Sequence, residues 1–403
     1  MSSGRRLKSG HRRLNRRSAR KHTVAGETQK GGAQKSACYL FEDGFCDNTA
    51  MAKTEMEKLR AEAVARSFFK PADLKTALEK MLFVQADPIR APARAQDLIL
   101  RHRVKDYKAG DLEKYYPSLD LEEDILYAYG FVTRELWRLL HPRRRKELTA
   151  LEKKALAAVT ASGEMHPRKL EAALGGGRVI NAWGSRSKVT TAALEELQYR
   201  GLLRVSRRDK GVKVYAPARP HTEPLSPDER LKGMVLVMAG ILAPALEKGL
   251  RAYAARRGRW LGVKNAGRTM DSLVREGRLE RITTDALVYV RPPGGKPPEP
   301  VAPRVRFLAP FDPLVWDRLR FEHFWGWPYR FEAYTPAAKR MRGYYAMPLL
   351  WGEMIIGWVN AAVADGNLEI DLGFAGKRPA GKYFRNELEA EISRLKIFLN
   401  IKR

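Results

Sequence analysis

Ala193-Leu-Glu-Glu-Leu-Gln-Tyr-Arg-Gly-Leu-Leu-Arg-Val205 and its continuation, Ser206-Arg-Arg-Asp-Lys-Gly-Val-Lys-Val-Tyr215, decide the fold. The first part reads as a helix stopped by Gly201, after which an apolar strand starts. The second part returns as a hairpin with Asp209-Lys-Gly211 at its tip. Helix, glycine stop and two-stranded wing together form the signature of a winged helix-turn-helix. Two further helices of suitable length precede it, Leu148 to Val159 and Pro167 to Leu174.

The pattern recurs on both sides, as an internal repeat. Downstream, Met270-Asp-Ser-Leu-Val-Arg-Glu-Gly-Arg-Leu-Glu-Arg-Ile282 has Gly277 as its stop, then turns at Thr283-Thr-Asp-Ala286 into Leu287-Val-Tyr-Val290. Its leading helices are Asp228 to Ile241 and Pro244 to Ala255. Upstream lies a degenerate copy: an amphipathic helix through Leu59, Ala63 and Phe68, then Leu74 to Gln85, which runs from helix into strand without the glycine. Leu121, Ile125, Tyr129, Val132, Leu136 and Leu140 recur at helical spacing, so 121–140 is expected to be one long core helix. His141-Pro-Arg-Arg-Arg-Lys146 then ends it as a basic linker.

On this alignment Phe83-Val-Gln-Ala-Asp-Pro-Ile-Arg90 places Gln85 and Asp87 on the first wing strand of the leading copy, both on one face by period-2 alternation. Pro88 ends the strand, because it cannot donate to a ladder and restrains the residue before it. A helix follows with Pro92 in its first turn. Arg90, Arg94, Arg101 and Arg103 surround it, which puts an amide and a carboxylate in a positive field beside a helix N-terminus, a seat for phosphate.

Lys and Arg outnumber Asp and Glu enough to give a formal charge of +29 and a pI near 10.2, which favours a polyanionic partner, nucleic acid above all. The first 35 residues hold eleven Lys or Arg and one Glu, so most of that charge lies beyond the tail. Residues 1–50 cannot bury enough apolar surface to fold. They read either as an arm for nucleic acid or as an upstream extension of a chain that starts at Met51 or Met56. The only cysteines, Cys38 and Cys46, lie in this tail, which removes disulfides, Cys-ligated zinc and iron–sulfur clusters from the body. Seven scattered histidines include no His-x-x-x-His pair. The most apolar run, Met234 to Ala243, is too short to span a bilayer, and no secretory signal is present, so the expected location is the cytoplasm, at the nucleoid.

After a Pro/Gly joint at 293–303, the character changes. Phe307 to Arg318 and Phe321 to Tyr334 concentrate aromatics; Gly343 to Met347, Glu353 to Ala362 and Asn367 to Phe374 read as three antiparallel strands, and Phe384 to Leu399 as a closing helix. Asp312, Trp316 and Arg318 are candidates to wall a pocket, although aromatic clusters are more often core. The expected fold is α+β and mainly helical: winged-helix modules at 56–146, 147–222 and 226–292, and a small α+β unit at 304–403.

Val84-Gln-Ala-Asp87 with Ala93-Arg-Ala95, Thr190-Thr-Ala-Ala-Leu-Glu-Glu-Leu197 through the wing to Tyr215, Leu308-Ala-Pro-Phe-Asp-Pro-Leu-Val-Trp-Asp-Arg318, Glu332-Ala-Tyr-Thr-Pro336 and Gly343-Tyr-Tyr345 share one register. In these blocks the chain resembles the tandem winged-helix DNA glycosylases of the AlkZ/YcaQ type, which excise alkylated purines and unhook interstrand crosslinks. The resemblance covers roughly 56–400. It implies a C-shaped, basic cradle for duplex DNA with no metal and no cofactor. It also implies an essential pair, here Gln85 and Asp87 in the Gln-x-Asp form.

Cleaving an N-glycosidic bond builds positive charge on the sugar, and an alkylated purine leaves without much acid help. Asp87 would stabilise that charge and take a proton from water, Gln85 would hold the water or sugar, and Arg90, Arg94 and Arg101 would grip phosphates. The alternative is that Gln85 and Asp87 are ordinary wing polar residues, with Asp87 capping the next helix or pairing with Arg90. Arg204, Arg207, Arg208, Lys210 and Lys213 make the central hairpin either a groove-entering wing or a solvated charged turn. Two functions compete: a monofunctional glycosylase acting as a monomer on damaged double-stranded DNA, and a non-enzymatic winged-helix regulator or architectural protein.

Overall fold

Local chemistry sets the repeat. In the computed structural model, which describes residues 54–143, 147–180, 186–219, 223–284, 287–294 and 303–401, Gly201 takes φ +76° and Lys210 and Gly211 take φ +48° and +85°. The first ends a helix, and the other two close a hairpin whose twist matches the strands on either side. The tail at 1–50, residues 144–146 of the basic linker, 285–286 of the third turn and most of the Pro/Gly joint lie outside the described residues.

Helix α1 (Glu55–Ser67), closed by a Thr54/Glu57 capping box, precedes the repeats. The leading repeat runs α2 (Leu74–Met81), β1 (Phe83–Gln85), α3 (Ala95–Leu100), α4 (Asp111–Tyr115), β2 (Leu121–Ile125) and β3 (Tyr129–Thr133), with α5 (Arg134–Leu140) as its exit. The central one runs α6 (Ala150–Ser162), α7 (Pro167–Leu174), a small hairpin of β4 (Arg178–Ile180) and β5 (Arg186–Lys188), α8 (Val189–Tyr199), β6 (Leu203–Asp209) and β7 (Val212–Pro217). The third runs α9 (Pro227–Ile241), β8 (Ala245–Leu246), α10 (Glu247–Leu261), α11 (Thr269–Arg275), β9 (Glu280–Thr284) and β10 (Leu287–Arg291). Strand orders are β1-β3-β2 and β8-β10-β9, and in the central repeat Met165 bridges to Tyr215 of β7, which lies beside β6. The same path is therefore traced three times.

Two expectations fail in the leading repeat. Residues 121–140 are not one helix but a hairpin and a seven-residue helix. Helical spacing of the apolar residues was misleading because the intervening Glu122, Glu123 and Asp124 are buried too, each met by partners from elsewhere. Nor is β1 a wing strand. It pairs with β3, Gln85 facing Gly130, so the hairpin of this repeat is β2–β3, and Asp87 lies past the strand end. Gly130 is required there: a Cβ would stand 2.3 Å from the Val84 carbonyl oxygen and 2.6 Å from the Phe83 ring. Gly130→Val is expected to cost about 1–3 kcal/mol in urea unfolding, as overpacked sites do, and to displace Gln85. Wild-type stability in that variant would refute the close strand approach.

Beyond the joint, β11 (Val305–Phe307), β12 (Met347–Trp351), β13 (Met354–Ala364) and β14 (Asn367–Phe374) form one antiparallel sheet in sequence order. Helix α12 (Arg318–Trp325) lies between the first two strands, and α13 (Lys382–Phe398) closes the unit. The strand expected at 343–347 begins only at Met347, and β11 was not foreseen.

The cores are shared between units. Leu59, Ala63 and Val64 of α1, and Phe68 just after it, pack with Leu308, Phe321, Leu350 and Ile355 of the C-terminal unit, not with α2. A second cluster joins Phe83, Val132 and Leu136 to Met234, Leu250 and Met270 of the third repeat. Buried ion pairs stitch the first two repeats, Glu122 with Arg204 at 3.1 Å and Glu123 with Arg208 at 2.9 Å, while Asp124 is met by His141 at 2.6 Å and by Arg143 from the segment after α5. Burial pushes the Asp124 carboxyl upward, but Arg143 and His141 outweigh it and hold it below the usual range.

Candidate active site

Strand β1 delivers Gln85 and then stops, with the Ala86 N–H making one more bond to the Tyr129 carbonyl at 3.0 Å. Asp87 is half-buried in the following loop, where Oδ1 accepts the Ile89 N–H at 2.9 Å. It neither caps α3, whose N-cap is Arg94, nor forms an ion pair with any described residue. Burial raises its pKa above the ordinary carboxylate value. A desolvated carboxylate without a cation has a stronger claim on a proton than one in water.

The surrounding wall comes from far away in the chain. Gln85 Oε1 accepts a hydrogen bond from the Tyr127 hydroxyl. That bond turns the amide so that its N–H groups point away from Tyr127. The Tyr127 ring lies 3.8 Å from Trp316, centroid to centroid, and the indole N–H of Trp316 donates to the Phe311 carbonyl at 2.5 Å. Phe311 meets Phe331 edge-on at 4.9 Å, and Phe331 meets Tyr345 at 5.4 Å. Tyr345 ends this run: its hydroxyl is buried without a hydrogen-bond partner among the described residues, and its pKa is raised first by burial and then by the charge of Asp87. A run of hydrogen bonds and ring contacts thus leads from Gln85 to Tyr345, near enough to Asp87 to feel its charge.

The structure separates the remaining candidates. Arg318 belongs to the wall: it donates to the Val315 carbonyl at 2.7 Å and stacks 4.5 Å from the Tyr329 ring, and it makes no ion pair among the described residues. Trp316 is also there. Asp312 is not a pocket wall. It is fully buried and forms a two-bond ion pair with Arg103, at 2.8 and 3.1 Å. Arg90 is exposed beside the Asp87 loop. Arg94 pairs with Glu113, and Arg101 with buried Glu391.

In the central hairpin Arg204 and Arg208 are committed to Glu122 and Glu123, and Lys213 lies 4.4 Å over the Tyr129 ring. Only Arg207, in an exposed pair with Glu164, and Lys210 face solvent. Trp325 and Trp327 donate to the carbonyls of Glu353 and Ile355 and serve the core.

Tyr127 and Tyr345 were missed as site residues. The first was hidden in the misread helix; the second carried no signal beyond Gly343-Tyr-Tyr345 itself. Among the described residues no group of three or more His, Cys, Asp or Glu is arranged to hold a metal ion, and no helix is long and apolar enough to cross a membrane.

A family model described as DNA glycosylase AlkZ-like matches residues 78–398. Among solved structures, that of Streptomyces sahachiroi DNA glycosylase AlkZ is similar, with a TM-score of 0.58 at 13% identity over 87% of this chain and 98% of that one. At that identity the likeness is one of fold.

Proposed function

The chain belongs to the AlkZ-like DNA glycosylase family, so it is a glycosylase of DNA repair with DNA as its partner, and from that premise we propose that it hydrolyses the N-glycosidic bond of alkylated purines at Asp87. The observation that carries this reading is the half-buried carboxylate of Asp87, which among the described residues has no cation and whose charge reaches a Tyr345 hydroxyl that has no hydrogen-bond partner among them. As the bond to the cationic purine breaks, its electron pair leaves with the base, and the sugar becomes oxocarbenium-like. Asp87 stabilises that charge, then accepts a proton from the water that adds to the anomeric carbon. Gln85 acts as a donor, because Tyr127 already occupies its oxygen. Its amide N–H groups hold the water or the sugar oxygen.

The enzyme is monofunctional, since water is the nucleophile; it works as a monomer, in the cytoplasm at the nucleoid, and interstrand crosslinks between purines are within its chemistry. The recurring strand order supports three tandem winged helices. Of the basic residues expected to grip DNA, Arg90, Arg207 and Lys210 stay exposed to meet phosphate, while Arg94, Arg101, Arg204, Arg208 and Lys213 hold the protein together first. Incubation with N7-methylated duplex DNA is expected to yield abasic sites that break only on later alkali treatment. Binding without abasic sites would instead make the chain a non-enzymatic DNA-binding protein.

Arg207→Gln with Lys210→Gln is expected to lower the slope of log K against log salt by about 2 in magnitude, near 0.9 per phosphate contact, with stability unchanged. A slope equal to wild type would remove the central hairpin from the DNA interface.

A further inference from the structure

The segment between α12 and β12 leaves large apolar side chains in solvent: Tyr334 is 80% exposed, Met341 79% and Tyr344 44%. This is not a loose loop. Buried Glu332 accepts the backbone N–H groups of Met341, Arg342 and Gly343 at 3.0, 2.8 and 3.3 Å. Arg340 donates to the Thr335 carbonyl at 2.8 Å, Asn360 donates to the Arg342 carbonyl at 2.6 Å, and the Arg342 guanidinium lies 5.1 and 5.5 Å from the rings of Trp327 and Trp358. The base of the loop is fixed, and what it holds out gains nothing for folding, since burying such side chains is what would stabilise them.

Its position gives those side chains a task. Tyr334 meets Phe331 edge-on at 6.1 Å, and Phe331 is the ring against Tyr345, which shares a core cluster with Val84; Ala86 and Ile89, on either side of Asp87, pack against that same cluster. Arg330 and Lys339 are exposed beside them, and the one acid of the segment, Glu332, is turned inward. Apolar rings rimmed by cations, with Phe331 and Tyr345 between them and the loop of a hydrolytic carboxylate, fit a charged polymer with a stacked interior. A base within a duplex is out of reach of such a carboxylate unless the stack is opened, and inserted apolar side chains open it.

We propose that residues 330–344 form a wedge, in which Tyr334, with Met341 and Tyr344, enters the base stack at the lesion and holds it open while the damaged nucleotide meets Asp87. This rests on the glycosylase reading above and adds the element that gives access to the duplex.

The test uses the full chain and one oligonucleotide with a single 7-methylguanine, supplied single-stranded and as a duplex carrying 2-aminopurine beside the lesion. In the triple variant Tyr334→Ala, Met341→Ala, Tyr344→Ala, single-turnover release from the duplex should fall by about tenfold or more, with release from the single strand held within about twofold. The 2-aminopurine fluorescence rise seen with wild type should disappear, and Tyr334→Trp alone should keep both. Duplex release at the wild-type rate, or equal losses on both substrates, overturns the wedge. If wild type releases no base from either substrate, the hydrolytic reading fails; the 2-aminopurine rise with wild type, lost in the triple variant, then still supports the wedge, and its absence rejects it.

Discussion

Asp87→Asn is expected to slow release of 7-methylguanine by about 10²–10⁴-fold, the range lost when a positioned acid–base group is removed, without lowering the melting temperature. The two halves of this result separate chemistry from architecture. An asparagine keeps an oxygen for the Ile89 N–H, so the local turn survives. The carboxylate's raised pKa means that the folded chain binds that proton more tightly than the unfolded chain does. The ionised group therefore detracts from stability at neutral pH, and that penalty vanishes as pH falls below its folded pKa. Removing the charge should leave stability level or raise it. In wild type, base release should decline on acidification with a midpoint above the ordinary aspartate value of about 3.9. Full activity in the variant, or an acid midpoint at or below that value, would take Asp87 out of the reaction.

How far the site could be read in the sequence follows from where its parts come from. Gln85 and Asp87 are legible because Pro88 ends a short apolar strand and leaves both polar groups at its tip. The hairpin at Asp209-Lys-Gly211 and the stop at Gly201 are legible because turn chemistry is local. Tyr127 was not, because Glu122, Glu123 and Asp124 look solvent-facing until Arg204 and Arg208 arrive from the central repeat and His141 from the end of α5. The same pairings explain why the basic wing offers fewer cations than its composition promises. Strand β11 escaped notice because three residues after a proline-rich joint carry no period. Tyr345 comes within range of the Asp87 charge only because the C-terminal sheet packs back on the leading repeat, a long-range event that no window of sequence contains.

Asp312→Asn is expected to be the most damaging single change to stability among the residues first considered for the site, costing about 3–5 kcal/mol, as breaking a buried ion pair does. Arg103 is 1% exposed and Asp312 0%, so the lone guanidinium has no water to turn to. Its other bonds, to the carbonyls of Ser67 and Ile99 at 2.9 and 2.8 Å, hold it in place. The pair ties the segments around α1 and α3 to the C-terminal unit, the same junction that brings Tyr345 to Asp87. Replacing both partners with apolar residues, Arg103→Met with Asp312→Leu, should recover much of the loss, because desolvation of the two charges offsets most of their attraction. Urea midpoints measure both effects. Were Asp312→Asn to unfold with wild-type stability while losing base release, Asp312 would act at the site and not beneath it.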